Sequence, residues 1–495
     1  MVDIISEKAF IRDFANDIIN NTASVFIGSG VSRDAGYVGW KDLLKEVAED
    51  INLDVDKETD LISLAEYYVN SRKNRVKINQ AISKYFSEEK SCTNAHKILA
   101  SLPIISYWTT NYDKLIEKSF DEKRKSYSVL TNDNSFKKFI EGKDVVIHKL
   151  HGDVDNPGEA VITKKDYEEF AYKHEILLSK LKGEMCSKTF LFLGYSFSDT
   201  DIKHILSRIR LFYKGDFARE HYCVLENLKL ETDKDGNIIE TEEEFEYRKT
   251  RQNHHIQDLK SYGIQTILVN DYSEDIPRIL SEIRMLVCQN NVFISGAYEK
   301  DDVQKELGWQ LARSLSTWFI TENMKIYSGY GNNIGPEVVA GVYDGYRLIN
   351  KNKHIANRYQ DNDITKNLSI HPFPYISSLK KIEKESLYRQ IRENILQNTQ
   401  IMIIIGGNKM ENGVKCISDG VLMEYEIAKD KNQLIIPIAA TGGAAEVVWD
   451  EMFKENSYYV KSKDFIALKN GKNFEEIFEA VKNIIKTQQT ELAKY

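Results

Sequence analysis

An amide, a carboxylate and an imidazole stand just past the ends of apolar runs in the first half of the chain. In "SYWTTNYDKLIEK" (106–118) the apolar start gives way to Thr109, Thr110, Asn111, Tyr112 and Asp113 before a helical pattern resumes at Leu115 and Ile116. A cap on that helix needs one such residue, Asn111 or Asp113, not the whole run. In "VVIHKLHGDV" (145–154), His148 alternates into the strand and reads as packed, whereas His151 follows it, beside Gly152 and Asp153. An imidazole titrates near neutral pH and can take a proton from a water or a sugar hydroxyl. An amide in reach can hold that hydroxyl in place. Two more strand ends carry small polar residues: "IGSGVS", with Gly28, Ser29, Gly30 and Ser32, and "FLGYSFSD", Gly194 to Asp199, with Ser196. A glycine pair after a strand reads either as a phosphate cradle ahead of a helix N-terminus or as a tight turn.

These residues need a scaffold that brings strand ends together. "SVFIGSG", "IISYWTTN", "DVVIHKLHG", "TFLFLGYS", "HYCVL" and "IQTILV" read as strands. They alternate with helix-period segments such as "EKAFIRDFANDIIN" and "DTDIKHILSRIRLFY". Alternation of this kind predicts a parallel sheet with helices on both faces, and ligands bind such sheets at the carboxyl ends of the strands. The charged stretch 226–255 interrupts the pattern and reads as a solvated insertion leading into a helix. After "DIPRILSEIRMLVCQ" the alternation restarts, with strands in "NVFISGAY", "MKIYSGYG", "NLSIHPFPY", "TQIMIIIGGNK" and "QLIIPIAAT". The expected class is α/β with two Rossmann-like domains, at 1–285 and 290–495. The second set of strand ends holds Gly296, Gly329, Gly331, Gly407 and Asn408, and reads as a nucleotide pocket or a set of tight turns.

The 495 residues are too many for one ordinary core. A formal charge of −8 argues against a general nucleic-acid binder. Five scattered cysteines form no Cys-x-x-Cys pair, so neither a structural zinc site nor a disulfide framework is expected, and a reducing cytoplasm fits. No signal peptide and no membrane-spanning run is read from the chain.

Glycine loop, Thr-Asn-Tyr-Asp, His-Gly-Asp and Gly-x-Ser, in that order, resemble the sirtuin family of NAD-consuming enzymes over roughly residues 10–285. The resemblance implies that Gly28, Ser29, Gly30 and Ser32 hold the NAD pyrophosphate and that Asn111 and Asp113 contact the nicotinamide ribose and carboxamide. It makes His151 the general base and puts Gly194 and Ser196 on the adenosine side. Deacylating sirtuins carry a four-cysteine zinc module and a Gly-Ile-Pro-Asp-Phe-Arg segment; this chain lacks the first and has Gly36 to Trp40 in place of the second. Both departures fit the sirtuin-like NAD hydrolases of bacterial antiphage systems.

The second half resembles SLOG domains, which bind nucleotide-derived signals. A sirtuin-like domain followed by a SLOG domain is similar, nearly end to end, to the effector family of the Thoeris antiphage defence system. That likeness implies NAD+ as substrate, no prosthetic group or metal, and activation by a cyclic ADP-ribose isomer made by a partner TIR-domain enzyme. It also implies a homotetramer or larger assembly, with no membrane or nucleic-acid partner. The implied signal-binding residues are Gly296, Gly329, Gly331, His371, Tyr388, Arg389, Gly407, Asn408 and Glu424. The family pattern has Arg before Pro-Phe-Pro, where this chain has His371; Arg389 or Arg392 can supply the missing cation. Other readings are an NAD-dependent protein deacylase, a non-catalytic sensor of NAD or ADP-ribose, and a partner of a nucleic-acid-guided nuclease.

Overall fold

The computed structural model describes residues 4–492 except 139–144, 198–199, 214–218, 234–237, 300–301, 352–365, 375–379, 412 and 456–458. Ser198 and Asp199, at the end of the "FLGYSFSD" stretch, therefore lie outside the described residues. The chain divides into two compact units, Met1–Arg284 and Met285–Tyr495, and the division falls inside the helix Tyr272–Cys288.

The first unit is built on seven strands: β1 (Ala23–Ile27), β2 (Ser106–Thr109), β3 (Tyr127–Leu130), β4 (Val145–Lys149), β5 (Thr189–Leu193), β6 (His221–Glu226) and β7 (Ile264–Val269). Their order is β3-β4-β2-β1-β5-β6-β7, with every pairing parallel. β1, β2, β4 and β5 are buried along their whole length, as strands covered by helices on both faces must be. One cluster centred on Phe26, Trp108, Phe190 and Phe192 fills the space under the helices Lys164–Lys173 and Glu175–Ser187.

The register decides where the site falls. Ile27 pairs with Thr109 on one side and Leu193 on the other, and Thr109 pairs with Lys149. Four strands thus end level, and the loops after them rise at one edge of the sheet. The chain runs from β1 to β2 on one side and returns to β5 on the other, so β1 is the switch point where such sheets open a crevice.

The second unit repeats the device with β8 (Asn291–Ala297), β9 (Lys325–Ser328), β10 (Leu368–Ile370), β11 (Ile401–Gly406) and β14 (Leu434–Ile438), in the order β10-β9-β8-β11-β14. The switch is at β8. Its core runs from Ile294, Ile326, Ile403 and Ile436 to Phe319, Trp449 and Phe465. A two-stranded antiparallel hairpin, β12 (Asn408–Glu411) with β13 (Val414–Ile417), extends from the end of β11. Sequence reading took the strand on to residue 409 and missed the hairpin, because Gly406 and Gly407 break the strand with positive φ where an unbroken apolar run suggested continuity. It also missed the short β3. The 226–255 insertion contains one antiparallel bridge, Thr232 to Ile238, and leads into the helix Glu242–Ser261, opened by a Thr241–Glu244 capping box.

His96, His148 and His221 are three of the five described histidines buried in the first unit. His148 stacks on Trp108 at 3.8 Å and donates Nδ1–H to the Tyr107 carbonyl; His221 Nδ1 accepts the Phe190 N–H; His96 Nδ1 meets the Thr93 hydroxyl. Burial pushes the pKa of each down to about 4. The folded values lie below the unfolded one, so this stability is fully present above about pH 6.5 and is lost as pH falls toward 4. Each histidine costs the folded state on the order of 3 kcal/mol by pH 4, against a total of roughly 5–15. The melting temperature of the first unit should drop steeply between pH 6.5 and 4. A His148→Phe variant should flatten that slope; an unchanged slope would remove His148 from the account.

Candidate active site

β1 hands over to Gly28, and from there the loops after β1 and β5 pack with no room for side chains. A Cβ on Gly28 would lie 2.3 Å from the Gly194 carbonyl oxygen, and one on Gly30 would lie 2.7 Å from Gly194 Cα. The Gly28 N–H donates to Leu193 O at 2.8 Å and the Gly30 N–H to Gly194 O at 3.0 Å. These amides close the loops on each other, and the first role of the glycine pair is close packing of two strand ends. Tyr272 presents its hydroxyl to the Gly194 N–H. Gly28→Ala should therefore lower stability by about 1–3 kcal/mol or more, read in a denaturant melt. A neutral result would mean that the two loops can separate.

The β2 end is organised by its own side chains. Thr109 Oγ1 donates to Ile27 O at 2.7 Å and accepts the Asn111 N–H at 2.9 Å. That turns Asn111 toward β1, where its Nδ2 donates to Ser32 Oγ at 3.1 Å. Tyr112 packs: its hydroxyl donates to Val161 O at 2.7 Å and its ring meets the edge of Phe86. Asp113 accepts the Leu115 N–H at 3.0 Å and so closes the turn that leads, through the N-cap residue Lys114, into the helix Leu115–Glu122. Past β4, His151 is buried between the ring edges of Tyr167, at 5.4 Å, and Phe170, at 5.8 Å.

A cavity of about 620 Å³ opens at this edge. Its wall includes Ser29, Ser32, Asn111, Asp113, His151, Gly194 and Ser196. Gly28 and Gly30 lie beneath and do not line it. Sequence reasoning passed over Arg33, Asp42, Tyr167 and the segment Thr59–Ile62 at the start of the helix Leu61–Arg72, all of which line the cavity. Tyr37, Val38, Gly39 and Trp40, from the segment that departs from the deacylase pattern, form another part of its wall. Burial, with Asp113 nearby, pushes the Tyr37 hydroxyl up to about 12, so it stays a neutral donor. A larger cavity, about 790 Å³, is bounded by Asp34, Lys90–Ala95 and Tyr272–Pro277; it holds none of the expected site residues and is not the candidate site.

In the second unit the expected residues fall into separate groups. Gly296, Gly331 and Gly407 pack strand ends together: a Cβ would come within 2.1 Å of Ile405 O, 2.1 Å of Gly296 O and 2.6 Å of Ala444 Cβ, respectively. Asn408 Nδ2 donates to Asp302 at 3.4 Å. His371 Nε2 meets the Ser369 hydroxyl at 2.7 Å and its ring lies parallel to Tyr327. A third group forms around Glu424, which is buried and accepts from Ser295 Oγ at 2.5 Å and Arg392 Nε at 3.1 Å. Arg392 also sits 4.3 Å over the Phe373 ring, which in turn faces Tyr388 and Gly329. Arg389 stands apart, half-exposed and paired with Glu393.

Two sheets of this kind in tandem, each opening at its switch point, define a SIR2-like domain joined to a SLOG domain. Residues 105–257 match the SIR2-like domain family, and residues 275–488 match the Sir2- and TIR-associating SLOG family. The chain is 37% identical over 459 residues to the NAD(+) hydrolase ThsA of Bacillus cereus (strain MSX-D12), covering 92% of each protein. It is 36% identical to that of Enterococcus faecium, over 97% of this chain and 98% of the other, and 35% identical to that of Cytobacillus dafuensis, over 96% and 94%. The chain belongs to the ThsA family.

Proposed function

We propose that the first unit, residues 1–285, hydrolyses NAD+ to nicotinamide and ADP-ribose, and that the second, residues 290–495, senses the signal that turns hydrolysis on. The observation that carries the first part is that Asn111, Ser32 and His151 share the wall of one cavity at the sheet's switch point. The relatives' name, NAD(+) hydrolase, supports the same reaction.

The bond between nicotinamide and ribose already has a cationic leaving group, so no acid is needed to expel it. What the site must supply is an orderly approach of water to an oxocarbenium-like ribose. With Asn111 Nδ2 engaged by Ser32, its Oδ1 is the acceptor for a ribose hydroxyl or for that water. His151 takes the proton as the new C–O bond forms. Asp113 is held by its bond to the Leu115 N–H and orients the carboxamide. Ser29 and Arg33 face the diphosphate, and Gly194 and Ser196 the adenosine end.

For the sensor, the group around Glu424 supports a nucleotide site: an aromatic ring, a guanidinium and a carboxylate converge at the strand ends. We take a cyclic ADP-ribose isomer from a TIR-domain enzyme as its ligand and a homo-oligomer as the active form. The deciving experiment is chromatography of NAD+ incubated with the protein, with and without cyclic ADP-ribose isomers. Nicotinamide appearing only with an isomer supports both halves of the proposal. Intact NAD+ under every condition overturns the hydrolase reading.

A further inference from the structure

Behind the cavity wall lies a charged cluster that the reaction scheme leaves unused. Lys149, the last residue of β4, is fully enclosed. Its Nζ lies 2.7 Å from the Asp113 carbonyl oxygen, 3.4 Å from that of Tyr112, 3.0 Å from Glu117 Oε1 and 2.5 Å from Asp153 Oδ2. Burial opposes its charge, but Glu117 and Asp153 outweigh that and hold its pKa up. Burial raises the Glu117 carboxyl in turn, and its Oε2 has no hydrogen-bond partner among the described residues.

These contacts join the two loops that carry the reacting groups. The Tyr112 and Asp113 carbonyls directly follow Asn111, and Asp153 is two residues past His151. Asp153 also accepts the Asp155 N–H at 2.9 Å, which shapes the loop after His151. A fold seldom needs such a cluster for stability, since well-packed apolar residues of similar volume usually serve as well. What an apolar side chain cannot do is donate to two carbonyls of one loop and a carboxylate of another.

Resting on the NAD-hydrolase reading of this cavity, we infer that Lys149 is a positioning residue that fixes the Asn111 loop against the His151 loop. A shift of about 1 Å between reacting groups costs on the order of 100-fold in rate, while NAD+ binding along the rest of the cavity is largely spared.

The test uses the full-length chain with the cyclic ADP-ribose isomer that activates it, and compares kcat and KM for NAD+ with thermal unfolding. Two variants are read: Lys149→Met, and the neutral triple variant Lys149→Met/Glu117→Gln/Asp153→Asn, which leaves no buried charge unpaired. Both should lose kcat by about 100-fold with KM within about threefold, and the triple variant should unfold near the parent temperature. Lys149→Arg, which keeps the donors, should recover at least about tenfold of the loss. A triple variant with kcat within about threefold of the parent overturns the inference. So does failure of both Met-bearing variants to fold, which would make Lys149 a residue of the fold. If the unaltered chain releases no nicotinamide with any isomer, the hydrolase reading itself has failed and the inference falls with it.

Discussion

His151→Ala should lower signal-activated NAD hydrolysis by about 10²–10⁴-fold, the usual contribution of a positioned general base. Asn111→Ala should do comparable damage by a different route. His151 is 5% exposed and packs against the rings of Tyr167 and Phe170, so truncation opens a small void beside them. Asn111 is held through Thr109 and Ser32, and Thr109's bond to Ile27 survives when the amide is deleted. Both variants should therefore melt cooperatively near the parent temperature. The double variant should be little worse than either single one, because the base has nothing to act on once the ribose or water is misplaced. The measurement is nicotinamide release at saturating NAD+. Full activity in either purified variant refutes the site assignment.

The candidate cavity was legible in the sequence because its polar residues stand where a strand should stop and a helix has not begun. A single cap needs only one of the five; the structure uses Thr109, Tyr112 and Asp113 to hold the loop and leaves Asn111 and Asp113 on the cavity wall. Lys149 was not legible in this way: nothing in "VVIHKLHG" singles it out, and it is the fold that encloses its ammonium with two carboxylates and two carbonyls. The glycines were legible as necessary but not for the reason they are needed. Gly28 and Gly30 meet Gly194 across 164 to 166 positions of sequence, a contact set by strand register, which no local pattern carries. Asp113 shows a third case: a cap and a ligand-binding carboxylate ask for the same residue type at the same place, and the structure makes Lys114 the N-cap residue, gives Asp113 a turn bond to the Leu115 N–H and leaves it on the cavity wall. In the second unit, the helix Lys381–Leu396 offered two arginines one turn apart, and periodicity alone could not rank them.

The structure separates those two arginines, and on the proposed sensor reading the signal response should depend on Arg392. His371 takes the place of the family arginine, and it cannot replace it: burial, helped by Lys325, lowers its pKa, so the ring is neutral at pH 7 and presents no fork to a diphosphate. Arg389 is spent on an exposed pair with Glu393, the kind of contact worth well under about 1 kcal/mol. Arg392 is only 11% exposed in its side chain, stacks on Phe373 and is oriented by Glu424. Arg392→Lys keeps a charge beside Glu424, and with it the buried pair, but removes the planar fork and the stacking. It should raise the concentration of cyclic ADP-ribose isomer needed for half-maximal NAD hydrolysis by about 10–100-fold, the cost of about 1.4–2.8 kcal/mol of binding. Arg389→Lys should leave that concentration within about threefold. His371→Arg should lower it, by restoring a second guanidinium at the family position. The reverse ranking, with Arg389→Lys crippling the response and Arg392→Lys sparing it, would move the anion-binding group to the exposed face of the helix and leave the Glu424–Arg392 pair as packing alone.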